Sequence, residues 1–176
     1  FVLKINKSRL PIVFGIGGND TIKMVKEYNS YNLDGVDAIL SASPYYNKPS
    51  QEGIYQHYKY LSENMTHDII LYNVPGRTAS NMTAETTVRL ANDFKNIVAI
   101  KEASGDLNQV MHIINNRPNG FLLISGDDAL TLPMIACGAE GLISVIANSH
   151  PLDTKNLVAK SMNGDFNSSR KSHYKL

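Results

Sequence analysis

Three side chains have the type and setting that chemistry needs: a lysine and a tyrosine ending apolar runs, and an arginine on a tight loop. Lys101 closes Ile97-Val98-Ala99-Ile100-Lys101. If that run is a strand, its period of two puts Lys101 on the same face as Ile97 and Ala99. Inside a closed barrel such an amine is desolvated and its pKa falls. The neutral amine attacks a carbonyl and forms an imine, which then acts as an electron sink. The competing reading is a lysine that has left the strand and reached solvent, as charged residues commonly do. Tyr72 closes Asp68-Ile69-Ile70-Leu71-Tyr72, where a phenol can relay protons. Arg77 follows in Asn73-Val74-Pro75-Gly76-Arg77-Thr78 and offers a fork suited to a carboxylate. A packing tyrosine and a surface arginine would satisfy the same sequence.

Other motifs carry less. Ser43-Pro44-Tyr45-Tyr46-Asn47-Lys48-Pro49 reads as a stiffened aromatic loop, fit either for an interface or active-site wall or for local packing. Gly15-Ile16-Gly17-Gly18-Asn19-Asp20 lacks the third glycine of a dinucleotide fingerprint, so a tight turn is expected there. His57, His67, His112, His150 and His173 never fall at metal-ligand spacing, and no metal site is expected. Asp127-Asp128 suits a helix cap better than a cation site. The lone Cys137 cannot form an internal disulfide, which fits a reduced, cytoplasmic setting. With 17 Lys and Arg against 16 Asp and Glu, the net charge of +1 favours neither nucleic acid nor an anionic membrane.

These residues need elements to hold them. Six short apolar runs recur: 11–15, 36–41, 68–72, 97–101, 121–125 and 141–145. Their length and Ile, Val and Leu content suit strands buried on both faces. Helical signals lie between them, at 21–31 behind Asn19 and Asp20, at 51–64, after the cap Thr83, at 106–116, at 128–137 despite Pro133, and at 152–162. Strand–helix alternation at this spacing means parallel βα units, in an open doubly wound sheet or a (β/α)8 barrel. The positions of the polar residues favour the barrel. Tyr45 and Tyr46, Tyr72 and Arg77, Lys101 and Glu102, and Asp127 and Asp128 all fall at or just after the C-terminal ends of runs, the catalytic end of barrels. A barrel has eight strands, so about two βα units are expected to precede Phe1. Residues 1–151 then read as strands three to eight with their helices, and 152–176 as the last barrel helix and the start of a C-terminal helical region.

Pro44-Tyr45-Tyr46-Asn47-Lys48-Pro49, Tyr72-Asn73-Val74-Pro75-Gly76-Arg77-Thr78, Ile100-Lys101-Glu102-Ala103-Ser104-Gly105, Ser125-Gly126-Asp127-Asp128 and Gly141-Leu142-Ile143-Ser144-Val145 follow in one order. Together they resemble the serial motifs of the dihydrodipicolinate synthase family, pyruvate-dependent class I aldolases, from Pro11 to the end. The resemblance implies a TIM barrel in which Lys101 forms a Schiff base with pyruvate. The derived enamine attacks aspartate 4-semialdehyde, giving 4-hydroxy-tetrahydrodipicolinate for lysine and diaminopimelate synthesis. It also implies that Tyr72 relays protons and Arg77 holds the second substrate's carboxylate. Tyr46 would be lent to a neighbouring subunit of a homotetramer built from tight dimers, while Ile143 and Gly126 line the pyruvate pocket. No organic cofactor is implied.

Two departures from the family pattern matter. Its Thr-Thr-Gly-Glu pyruvate-binding motif lies upstream of Phe1. Its lysine feedback site matches Gly17, Asn19 and Tyr45, but the acidic residue used by lysine-sensitive members is Lys23 here. Weak or absent feedback is therefore expected, because Lys23 repels the effector's amine. Related aldolases acting on N-acetylneuraminate or 2-keto-3-deoxy sugar acids would share Lys101 and Tyr72. Arg77 argues for the short, carboxylate-bearing semialdehyde instead. A further alternative is a catalytically incomplete piece of barrel.

Overall fold

The computed structural model describes residues Phe1 to Leu176. In chain order the elements are α1 (Val2–Asn6), β1 (Val13–Gly15), α2 (Thr21–Tyr28), β2 (Ala38–Ala42), α3 (Gln51–Asn64), β3 (Asp68–Asn73), α4 (Pro75–Thr78) and α5 (Ala84–Asp93). They continue as β4 (Ile97–Glu102), α6 (Leu107–Asn116), β5 (Leu122–Ser125), α7 (Thr131–Cys137), β6 (Gly141–Leu142), a 3-10 turn (Ile146–Asn148), α8 (Pro151–Met162) and α9 (Phe166–His173). Short polar side chains start several helices by taking free first-turn amides. Asp20 accepts from Lys23 N, Ser50 from Gly53 N, Thr83 from Thr86 N and Asp106 from Asn108 N and Gln109 N.

All six strands are parallel, and the sheet runs β1-β2-β3-β4-β5-β6 with no reversal of order. A doubly wound sheet reverses its order at a switch point. This sheet does not, and it forms six strands of a half-barrel. Its two faces are unlike. One is covered by helices, in a core of 25 buried residues that includes Ile39, Ile54, Tyr58, Leu61, Ile69, Leu71, Leu90, Ile100 and Leu123. The other carries only strand residues: Ala38, Ile70 and Ala99, flanked by Leu40, Val98 and Ile124. That second face is the interior of the barrel.

Four expectations need correction. Ile97 does not share the face of Lys101: it lies in the helix-covered core, whereas Ala99 faces the interior. The cause is a register shift between β3 and β4, where Ile69 pairs with Ile97 but Ile70 pairs with Ala99. Val98 is the extra residue, and a bulge of this kind reverses the phase of alternation. The last strand stops at Leu142 rather than Val145, because the Asp128 carboxylate takes the amides of Val145 and Ile146 and turns the chain. Helix α2 ends at Tyr28, three residues early. Burial on both faces fails at β1, where Val13 and Gly15 are exposed. The short α4 escaped notice in the sequence, though Pro75 at its first position is a good starter.

His57 of α3 is 4% exposed. Its Nδ1 shares a 2.7 Å hydrogen bond with the Thr21 hydroxyl, while Nε2 has no partner. Burial lowers its pKa from 6.5 to about 4. Between those values the unfolded histidine takes up a proton that the folded one refuses, so acid favours unfolding. The folded state is free of this penalty above pH 6.5 and carries all of it once pH falls through about 4. His57→Gln should flatten the loss of stability across that window by about 3 kcal/mol. Urea unfolding at a series of pH values measures it, and an unchanged slope would refute the assignment.

Candidate functional site

Lys101 and Tyr72 are cross-strand partners at the C-terminal ends of β4 and β3. Lys101 is 9% exposed, and its Nζ lies 4.1 Å from the centroid of the Tyr72 ring. The contact packs the end of the Lys101 side chain against the ring and restricts an otherwise flexible chain. Room for that side chain comes from Gly126, just after β5. A Cβ there would stand 2.9 Å from Ala103 Cβ and 3.0 Å from both Cγ and Cε of Lys101. Gly126 donates its amide to Glu102 O at 2.8 Å, and Ile143 donates to Ser125 O at 2.9 Å. These bonds bring the loops after β4, β5 and β6 to one rim.

The next residue pair in register, Asn73 and Glu102, points to the helix-covered side. Glu102 is 1% exposed, and burial raises its pKa. Asn73 Nδ2 donates to both carboxylate oxygens, at 3.2 and 3.0 Å, Ser104 N to one at 2.6 Å and Gln109 Nε2 to the other at 3.0 Å. Asn73 also accepts from Met82 N at 3.0 Å and donates to Asn81 Oδ1 at 2.8 Å. Sequence reading noticed Glu102 beside Lys101 but missed this network. Its partners lie up to 29 residues away, and the available signal was a polar residue directly after each chemical one.

The other expected residues fall into two groups. Arg77 sits on α4 at the same rim, exposed and without a side-chain hydrogen bond or ion pair. Asp127 and Asp128 cap no helix, since Leu130 is the residue before α7 and offers no side-chain cap. Instead Asp127 Oδ1 closes a turn by accepting from Ala129 N and Leu130 N. Asp128 binds the Ser144 hydroxyl and the following amides, holding the loop that contains Ile143.

Gly17, Asn19, Tyr45 and Tyr46 form a second cluster, built from the loops after β1 and β2. Asn19 Nδ2 donates to Tyr45 O at 3.3 Å, and Asn47 Nδ2 returns a bond to Asn19 O at 3.2 Å. A Cβ at Gly17 would meet Ala42, at the end of β2, at an ordinary 3.9 Å. Tyr46 has φ 71° and is 87% exposed, with no hydrogen bond to its hydroxyl. A tyrosine held left-handed and pointed outward is strained for no benefit within this chain. Lys23 stands exposed on the first turn of α2. No group of three His, Cys, Asp or Glu side chains is placed to hold a metal ion, and no helix is long and apolar enough to cross a membrane. A mainly apolar cleft of about 240 Å³ beside α8 and α9 contains neither Lys101 nor Tyr72.

Comparison with known proteins agrees with this fold. A model of the dihydrodipicolinate synthetase family matches residues 1–176. The chain is 53% identical over 169 residues to the 4-hydroxy-tetrahydrodipicolinate synthase of Parabacteroides distasonis, covering 96% of this chain and 57% of the relative. It is 51% identical over 175 residues to the corresponding enzyme of Flavobacterium psychrophilum, covering 99% and 60%. The crystal structure of dihydrodipicolinate synthase from Thermotoga maritima superposes with a TM-score of 0.95 at 40% identity, over 99% of this chain and 60% of that one. The chain therefore spans about three fifths of the length of these relatives.

The tight seat at position 126 yields a direct test. Gly126→Ala should cost about 1–3 kcal/mol through overpacking. In a crystal structure of the variant, Lys101 Nζ should sit beyond the roughly 6 Å reach of the Tyr72 ring. An unmoved lysine would show that Gly126 does not shape the site.

Proposed function

Since the chain belongs to the dihydrodipicolinate synthetase family, we propose that it carries the imine-forming centre of a 4-hydroxy-tetrahydrodipicolinate synthase, a lyase of lysine and diaminopimelate biosynthesis. One observation carries this reading: a lysine amine withdrawn from solvent and seated against a tyrosine ring, at the catalytic end of adjacent parallel strands. Lys101 Nζ forms a bond to the keto carbon of pyruvate, and the keto oxygen leaves as water. The imine draws electrons from the methyl group, whose proton departs through Tyr72, leaving an enamine. The enamine carbon bonds to the aldehyde carbon of aspartate 4-semialdehyde, and the new alkoxide takes up a proton. The semialdehyde's amino group then attacks the imine carbon, closes the ring and displaces Lys101. The protein amine supplies the electron sink, so no organic cofactor is required.

The surrounding residues fit that sequence of steps. Gly126 and the backbone of Ile143 border the pyruvate pocket at the rim. Arg77, exposed and unpaired, is free to bind the semialdehyde's carboxylate as a fork. A polyhydroxylated sugar acid would call for hydroxyls and amides there, which favours the semialdehyde over the substrates of related aldolases. Tyr46, strained and outward-facing, serves the proton relay of a neighbouring subunit. The assembly is a homotetramer made of tight dimers that meet at Tyr45 and Tyr46, in the cytoplasm. Gly17, Asn19 and Tyr45 form the lysine effector site, with Lys23 weakening it by like-charge repulsion.

Pyruvate followed by borohydride should attach a reduced pyruvyl group to the peptide containing Lys101, and Lys101→Ala should abolish it. Unmodified wild-type chain in a demonstrably folded sample would favour a catalytically incomplete barrel piece. Turnover is read after completing the chain with the remaining barrel segment of the Parabacteroides distasonis relative. There Tyr72→Phe should slow the reaction by about 10²–10⁴-fold. Lysine should inhibit that completed enzyme weakly or not at all, and Lys23→Glu should strengthen inhibition. Half-maximal inhibition at micromolar lysine without the substitution would refute the effector reading.

A further inference from the structure

Glu102 presents a problem that the proposed reaction does not use. Its carboxylate is almost wholly buried, and no cation pairs with it. A buried carboxylate without a countercharge is costly, and an apolar residue of similar size would serve stability better. The charge is tolerated because donors surround it: Asn73 Nδ2 on both oxygens, Ser104 N on one and Gln109 Nε2 on the other. The two bonds from Asn73 are the sole side-chain hydrogen bonds between β3 and β4.

Their position in the register gives them a use. Asn73 pairs with Glu102 one step after Tyr72 pairs with Lys101. The bulge at Val98 lies only a few residues upstream on β4, where the strand has already slipped once against β3. A slip by one residue would carry Lys101 out of the interior. Leu71 and Ile100, buried against the helices, oppose such a slip through their packing. The Glu102 carboxylate adds a directional constraint, since two of its four hydrogen bonds come from Asn73 across the strand pair and demand one registration.

We propose that Glu102, clasped by Asn73 and braced by Gln109, is a positioning residue that holds Lys101 against Tyr72 for imine chemistry. It works from the far side of the sheet and touches no substrate. The same network binds Asn81 and the Met82 amide, so it also anchors the segment that follows Arg77. The chemical part of this inference rests on the lysine-imine reading above, whereas the geometric part stands apart from it.

The test uses three variants of the chain: Glu102→Gln, the swapped pair Asn73→Asp with Glu102→Gln, and Ile54→Val. Ile54 is buried in α3 and takes no part in the clasp's side-chain hydrogen bonds, and it controls for a plain loss of stability. Folding is checked by circular dichroism. The first readout is the NMR shift of the Lys101 Hε protons, which the Tyr72 ring current displaces upfield. The second is the rate of borohydride trapping with pyruvate. Glu102→Gln should lose the upfield displacement and slow trapping by about tenfold to a hundredfold, whatever its melting temperature. The swapped pair, which restores one donor and one acceptor across the strands, should recover part of both, and Ile54→Val should change neither. Retention of the displacement in folded Glu102→Gln, or a trapping rate equal to the control's, overturns the proposal. A wild-type chain with the displacement but no adduct overturns the imine reading instead, and the shift series alone then decides whether the clasp positions Lys101.

Discussion

The contact between the Lys101 amine and the Tyr72 ring depends on a change of phase in β4, and most of the site follows from it. Ile97 faces the helices because its partner Ile69 does. Uninterrupted alternation from there would turn position 101 toward the helices as well. One extra residue, Val98, moves Ala99 and Lys101 to the interior and leaves Ile100 and Glu102 outside. The two faces of β4 then do different work. The inner one offers an amine beside a phenol, and the outer one anchors the strand through Ile100 and the Glu102 network.

The rim is assembled from loops that share no sequence neighbourhood but share carbonyls and amides. Gly126 reaches Glu102 O, Ile143 reaches Ser125 O, and Ala103 N reaches Asn73 O at 2.9 Å. Each strand end thus fixes the loop of the next one, so position passes along the rim from β3 to β6. Asp128 extends the chain of supports by holding the turn after β6, which shortens that strand to two residues. Gly126 leaves little tolerance, because a Cβ there would crowd both Ala103 and Lys101.

Much of this was legible in the residues. The alternation of apolar runs with capped polar stretches gave six strands and the principal helices, and Asp20 and Thr83 mark helix starts as their chemistry requires. Lys101, Tyr72 and Arg77 stand at strand ends or just past them, where barrel chemistry resides. What escaped was any feature set by residues far apart in the chain. Val98 is an ordinary β-branched strand residue, with no glycine or proline to mark a bulge. Asp128 reads as a cap until its partners at 144–146 are known. The left-handed Tyr46 runs against the preference of its own residue type.

The proposed chemistry requires Lys101 to capture a keto acid inside the barrel while Tyr72 attends the reacting carbons. A crystal structure of the borohydride-reduced pyruvate adduct tests this most directly. It should show continuous density from Lys101 Nζ into a three-carbon acid on the interior face, between Tyr72 and Gly126, with the phenol turned toward the former keto carbon. An adduct on another lysine, or a three-carbon acid projecting into solvent away from the phenol, would contradict it.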